Sequence, residues 1–199
     1  MLTVVAATAN ADKLRELEGL FGGRLRLLPA PAGYRPAAET GESYLDNARI
    51  KARALFAQNR GAALADDSGL EVDALGGRPG VHSARYGANP ADRVERLLRE
   101  LRGRRGAERR ARFRTALVLM LADGRELVAE ATCEGEIAES PRGAGGFGYD
   151  PVFLVPVLGR TFGEISSAEK NRRSARGAAA AALVAEIDKL GIAEAAGET

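Results

Sequence analysis

The chemistry in this chain starts at Ala65-Asp66-Asp67-Ser68-Gly69-Leu70, two adjacent carboxylates followed by Ser-Gly. They close an apolar run, Ala62-Ala63-Leu64-Ala65, that reads as a short buried strand. In open α/β proteins ligands sit outside the carboxyl ends of strands, so acids placed there can act on a ligand. Two neighbouring carboxylates repel and lose solvation unless a cation offsets them. An all-oxygen site of this kind suits Mg²⁺, which usually arrives with substrate phosphates. An acidic turn uses the same residue types, so the weight falls on the cations elsewhere. Of 29 basic residues only four are lysines, and Lys13, Lys51 and Lys170 all fall in polar motifs. In a chain that otherwise uses arginine, that placement points to a need for compact ammonium groups.

Each of those lysines has a setting. Leu2 to Thr8 reads as a first buried strand, and Asn10 as the cap of a helix that carries Leu14, Leu17, Leu20 and Phe21 and stops at Gly22-Gly23. Thr8, Asn10 and Lys13 thus gather at a helix N-terminus, where backbone N–H groups favour anions, and a first-turn lysine there needs an anion nearby. The Gly-Lys-Ser/Thr pattern of a P-loop is missing. Glu39-Thr40-Gly41 precedes a second helix, Tyr44 to about Arg60, opened by a Ser43/Asp46 capping pattern. Ser43, Asn47 and Lys51 line one face of it, either as a solvated face or as a phosphate-binding row. The loop Pro141 to Pro151 combines glycines, which let backbone approach a ligand, with Phe147 and Tyr149, flat faces for a base, and with Asp150. Lys170 and Arg176, at the entry to a C-terminal helix ending near Leu190, are donors for a base carbonyl or a phosphate, or plain surface charges.

The remaining elements follow from periodicity. Arg24 to Leu28 reads as a strand, Leu70 to Leu75 alternates weakly, and Pro90 to Arg102 is an amphipathic helix. Arg112 to Leu121 and Arg125 to Ile137 read as a hairpin turned at Ala122-Asp123-Gly124, and Val152 to Val155 as a further strand. The 199 residues, 45% hydrophobic and 28% charged, fit one soluble domain with two lobes. One cysteine, Cys133, excludes an internal disulfide, and one histidine, His82, excludes a two-histidine zinc site. The apolar N-terminus lacks a cationic lead, and the run Ala178 to Ala182 is too short for a bilayer, so a cytoplasmic protein without membrane contact is expected. Arg102 to Arg114 is strongly basic and could serve a non-enzymatic nucleic-acid-binding module. With a single aromatic, Phe113, it fits a solvated linker better, and no stable nucleic-acid binding is expected.

In order along the chain, Thr8-Ala9-Asn10-Ala11-Asp12-Lys13, Glu39-Thr40-Gly41, Asn47 to Ala52, Ala65 to Leu70, Gly76 to Gly80, Gly145 to Pro151 and Ala168-Glu169-Lys170-Asn171 with Ser174 and Arg176 closely resemble the inosine triphosphate pyrophosphatase family, which acts on dITP and XTP. The resemblance runs from about residue 3 to about residue 190. It implies an α/β fold, a long curved mixed sheet with flanking helices and two lobes around a central nucleotide cleft. It implies a homodimeric, Mg²⁺-dependent hydrolase that cuts purine nucleoside triphosphates between the α and β phosphates, releasing the monophosphate and pyrophosphate. By that resemblance Asp67 is the proton acceptor and a metal ligand; with Ala38 at the usual glutamate, either Glu39 takes that ligand role or the metal leans on Asp66 together with Asp67. Thr8, Ala9, Asn10, Ala11, Asp12 and Lys13, helped by Lys51, hold the triphosphate, and Ser68 touches substrate. Phe147, Gly148, Tyr149 and Asp150 hold base and sugar, while Lys170, Ala175 and Arg176 form the base edge. The chain departs from the pattern at Ala38, where the family often has a glutamate, and at Ala175, where it usually has a histidine. A related pyrophosphatase for modified pyrimidine nucleotides, of the septum-formation-inhibitor type, is the alternative within enzymes.

Overall fold

Seven strands form one sheet in the order β2-β1-β3-β4-β5-β6-β7 in the computed structural model, which describes residues 1–59 and 61–192. The strands are β1 (Leu2–Ala6), β2 (Leu25–Leu28), β3 (Ala63–Val72), β4 (Arg110–Met120), β5 (Glu126–Ile137), β6 (Phe153–Val155) and β7 (Arg160–Thr161). The helices are α1 (Ala11–Phe21), α2 (Tyr44–Asn59), α3 (Pro90–Glu100), α4 (Ser167–Arg173) and α5 (Ala175–Lys189). The sheet is mixed: β1 runs parallel to β2 and β3, while β6 is antiparallel to β5 and β7. Among the described residues no helix is long and apolar enough to cross a membrane. Arg60, taken from the sequence as the end of α2, lies outside the described residues.

The chain divides into two compact units, each with its own core. The first comprises Met1–Asp67, Thr115–Ala131 and the chain from Arg176 onward. Its core joins Leu17 and Phe21 of α1, Val4 and Leu64 of the strands, and Ala179, Ala180, Leu183 and Ile187 of α5. Of the alanine run only Ala179 and Ala180 face this core, where their small side chains permit close approach, while Ala178, Ala181 and Ala182 are exposed. The second unit is Ser68–Arg114 with Thr132–Ala175. Its core holds Leu70, Val94, Leu97, Ile137 and a trio of rings, Phe113, Phe153 and Phe162, with centroids 4.6 to 6.2 Å apart.

Two elements differ from the sequence reading in ways that matter to the site. The short strand ending at the carboxylates and the weakly alternating stretch after it are one ten-residue strand, β3, with Asp66 and Asp67 in its middle. Buried acids are poor strand residues, but here each has a cation partner, described below, so the strand continues through them. The carboxyl-end argument holds instead for β1. The last β1–β3 pair is Ala6↔Leu64, so Asp66 and Asp67 lie just beyond the point where β1 turns away toward α1. The C-terminal helix is likewise two helices, because Ser174 is extended and its N–H donates to the Lys170 carbonyl at 2.8 Å. The Arg102 to Arg114 linker is shorter than expected: β4 already starts at Arg110, after a 3₁₀ turn at Gly106–Arg109.

Candidate active site

Where β1 ends, the chain builds an anion-facing helix start. The Asn10 side-chain oxygen accepts from the N–H groups of Asp12 (2.9 Å) and Lys13 (3.2 Å), and the Thr8 hydroxyl accepts from the Asn10 N–H at 3.1 Å. These caps fix α1 and leave its dipole pointing outward. A cavity of about 320 Å³ opens there, lined by Thr8, Ala9, Asn10 and Ala11 with Pro29, Tyr34 and their neighbours. The first-turn Lys13 has its anion: Nζ donates to Asp66 Oδ1 at 2.6 Å. Asp12 is paired with Arg15 on the helix surface.

Asp66 is the hub of a buried ion network. Its second oxygen accepts from Arg176 Nε at 3.0 Å, and Arg176 Nη1 reaches Glu16 Oε2 at 3.1 Å. Burial by itself would raise the Asp66 carboxyl, but Arg176, Lys13 and Lys51 outweigh it and hold the group well below the ordinary range. Arg176 is buried too, yet Asp66 and Glu16 keep its guanidinium firmly charged. Arg176, placed at the base edge by resemblance, is therefore tied within the first unit to two carboxylates. Glu16 is the participant the sequence reading missed. Its spacing from Lys13, three residues on along one helix face, is the signal that could have found it.

Asp67 sits in a different field. Lys51 Nζ donates to Asp67 Oδ1 at 2.6 Å and to Glu39 Oε1 at 3.2 Å. Burial pushes the Asp67 carboxyl up, and the neighbouring Asp66 charge adds to this, with Lys51 opposing. The Lys51 ammonium is held in the charged form, because Asp67, Asp66 and Glu39 outweigh its own burial. Adjacent carboxylates are thereby driven apart, one locked as an anion and one raised toward proton exchange. That division is how paired acids acquire separate roles. Of the Ser43-Asn47-Lys51 row, Ser43 is exposed just ahead of α2, but the two members on the helix are not a solvated face: Asn47 is 1% and Lys51 7% exposed. The Asn47 side-chain oxygen accepts from the Gly41 N–H at 2.8 Å and so clamps the Glu39-Thr40-Gly41 loop onto α2. A Cβ on Gly41 would lie 2.6 Å from the Asp46 Cβ, so only glycine lets the loop close this tightly.

The second unit assembles the aromatic loop. Asp150 is 3% exposed and organises it: its Oδ2 accepts from the Phe147 N–H and from Lys170 Nζ, both at 2.7 Å. The Lys170 ammonium lies 4.6 Å from the Phe147 ring centroid, a cation–π contact that orients both. Gly146 has φ +69°, and any Cβ there would collide with the Asp150 carboxylate. Gly148, also left-handed, completes the turn. Tyr149 is not a flat face for a base as the sequence suggested. It is buried, with its hydroxyl donating to the Ser83 carbonyl at 3.0 Å. Ala175 is 1% exposed and offers no polar side chain. Ser68 stands half-buried on β3, next to Asp67. His82 is exposed, near Arg85.

An open mixed sheet with helices, a capped helix start after β1 and lysine-carboxylate pairs around it define an α/β protein equipped for phosphate chemistry. The family follows from comparison. A model of the Ham1 family matches residues 4–186, and the chain belongs to that family. It is 49% identical over 183 residues to the dITP/XTP pyrophosphatase of Geobacillus kaustophilus, covering 88% of this chain and 89% of that protein. The HAM1 protein of Coxiella burnetii superposes with TM-score 0.82 at 38% identity, covering 95% of this chain and all of that one. A nucleoside-triphosphatase and dITP/XTP pyrophosphatase from Mycobacterium abscessus superposes with TM-score 0.72 at 39% identity, covering 92% and 98%.

Proposed function

We propose that this protein hydrolyses dITP, ITP and XTP to the nucleoside monophosphate and pyrophosphate, clearing deaminated purines from the nucleotide pool. The observation that carries the reading is the split carboxylate pair, Asp66 locked by Lys13 and Arg176 while Asp67 is raised and held by Lys51. It occurs in a chain 49% identical to a dITP/XTP pyrophosphatase. In the reaction a water oxygen bonds to the α-phosphorus, the bond from that phosphorus to the bridging oxygen breaks, and pyrophosphate leaves with that oxygen. Asp67 takes the water proton, the task for which a raised carboxyl is suited. The α1 N-terminus, Lys13 and Lys51 offset charge on the phosphates.

The donor set also fits a hard divalent cation. Asp67 and Glu39 converge on one ammonium through oxygens only. Among the described residues no group of three or more His, Cys, Asp or Glu side chains gathers to form a protein cage. Mg²⁺ needs no more than one or two carboxylates when phosphates and waters complete its shell. Asp67 and Glu39 would hold it, and Asp66, with both oxygens engaged, would stay outside unless Lys13 or Arg176 let go. Bound there, the ion supplies charge neutralisation for the phosphates.

Base selection follows from Lys170, an ammonium fixed by Asp150 and the Phe147 ring. A 6-oxo purine presents an acceptor to such a donor, whereas adenine presents an amino group, leaving donors facing donors. Guanine shares the 6-oxo group, so this lysine does not separate GTP from ITP. We further infer a homodimer, which light scattering checks. The deciding experiment is release of pyrophosphate from ITP, XTP, GTP, ATP and a modified pyrimidine triphosphate, with and without Mg²⁺, for wild type and Asp67→Asn. The expected result is Mg²⁺-dependent pyrophosphate from ITP and XTP, lost in the variant. Orthophosphate as first product, preference for the pyrimidine, or an unimpaired Asp67→Asn protein overturns the reading.

A further inference from the structure

Away from the residues assigned above, the second unit holds a cavity of about 380 Å³ at the end of α3, lined by five arginines (99, 102, 104, 105 and 109) against two glutamates, Glu95 and Glu139. We propose that this cavity is a second anion site, taking a small, multiply charged phosphoryl anion of about the size of pyrophosphate or tripolyphosphate.

Three observations carry it. The first is Arg109, a guanidinium only 6% exposed that makes no ion pair among the described residues. Its donors go to carbonyls: Nε to Ile137 (2.6 Å), Nη2 to Ala138 (2.8 Å), and Nη1 to Leu101 (3.1 Å) and Arg104 (3.3 Å). Burial disfavours its charge, and the Glu139 carboxylate offsets this only in part. Carbonyl dipoles satisfy the hydrogen bonds but do not cancel a full charge, so an anion in the cavity recovers electrostatic energy that the fold leaves unspent. The second is the backbone. By capturing the carbonyls of Leu101 and Arg104, Arg109 fixes both ends of a loop that carries Arg102 and Arg104 and leads on to Arg105. The third is that Arg102 and Arg105 are exposed with no charged partner among the described residues, while Arg104 is matched by Glu108 and Arg99 by Glu95. Elsewhere in this unit Arg112 is compensated by Glu71, Asp73 and Glu134, and Arg142 by Glu164.

The concave form and the lack of a stacking face favour a compact phosphoryl anion over a nucleic-acid strand. A single-strand site needs aromatic platforms, and the one aromatic of this segment, Phe113, is committed to the core, 4.6 Å from Phe153. A volume near 380 Å³ suits a small ligand at the lower end of ordinary pockets.

The test is calorimetric titration with inorganic tripolyphosphate at low salt without divalent metal, comparing wild type with Arg102→Ser/Arg105→Ser and Arg102→Lys/Arg105→Lys. The serine variant is expected to bind one tripolyphosphate fewer per chain, its affinity at this site falling about tenfold for each guanidinium removed. It should keep the wild-type melting temperature and its rate of pyrophosphate release from ITP. The lysine variant keeps the charge and should keep the site. Equal stoichiometry in wild type and the serine variant overturns the proposal. So does a serine variant that loses binding of a single-stranded oligonucleotide but not of tripolyphosphate. Failure of wild type to cleave ITP would strike the catalytic reading and leave this stoichiometry legible.

Discussion

Replacing Asp66 and Asp67 in turn by asparagine separates two neighbours that look alike in the sequence. Asp66→Asn removes the charge shared by Lys13 and Arg176, whose donors lie 2.6 and 3.0 Å from its oxygens. Breaking a buried ion pair by deleting one partner costs about 3–5 kcal/mol. Arg176 retains Glu16, and the Lys13 side chain is 22% exposed and can turn to water, so the lower end, about 3 kcal/mol, applies. For a chain of this length that corresponds to a melting point lowered by about 6–12 °C. The loss should depend on pH in a defined direction. Asp66 is depressed in the fold, so its stabilisation is fully present above the unfolded value of about 3.9 and fades as pH falls below it. The gap between wild type and variant therefore narrows in acid. Asp67→Asn behaves oppositely. Burial already disfavours the charged form of Asp67, an amide can still accept from Lys51, and Lys51 keeps Glu39. Its melting point should stay within about 2 °C of wild type, in line with a change of under 1 kcal/mol, while pyrophosphate release is abolished. Thermal melts across pH with a pyrophosphate assay read both quantities. An Asp66→Asn protein that melts with wild type, or an Asp67→Asn protein that is the less stable of the two, would refute the division of labour.

Other outcomes follow from single contacts. The acid limb of kcat/KM should fall above the ordinary aspartate value of about 3.9, because Asp67 is raised and must be ionised to accept a proton; a limb at or below that value would deny Asp67 the role of base. Lys170→Gln should lower the ratio of kcat/KM for ITP over ATP by about tenfold, the usual worth of one charge-assisted hydrogen bond to a substrate, as read from initial rates with both nucleotides. Ser83→Ala strips the acceptor from the Leu70 N–H (2.8 Å) and the donor from the Gly80 carbonyl (2.6 Å) in a buried turn. A loss of about 2 kcal/mol, seen in denaturant unfolding with unchanged nucleotide selectivity, is expected.

How much was legible beforehand depends on the range of the interaction. Helix α1, its Asn10 cap and its Gly22 stop were readable because capping and periodicity are written within a dozen residues. The hairpin turn at Asp123-Gly124 was readable for the same reason. The Lys13 anomaly was also visible, as a cation at the wrong end of a dipole, but its answer, Asp66, lies 53 residues away. The break at Ser174 was missed, because a serine between good helix formers carries no strong local stop signal.

By itself, then, the sequence determined which groups are available: four lysines in a sea of arginine, two adjoining acids, and a glycine-aromatic loop, all recognisable as residue types at fixed spacing. What each group is for was decided only by the tertiary structure. Asp66 became a locked anion and Asp67 a raised carboxyl because Arg176, 110 residues along the chain from Asp66, lands on the first, whereas Lys51 and Glu39 meet at the second. Charge and desolvation act through space at a few ångströms, and a carboxyl group's acidity is therefore a property of its neighbours in the fold.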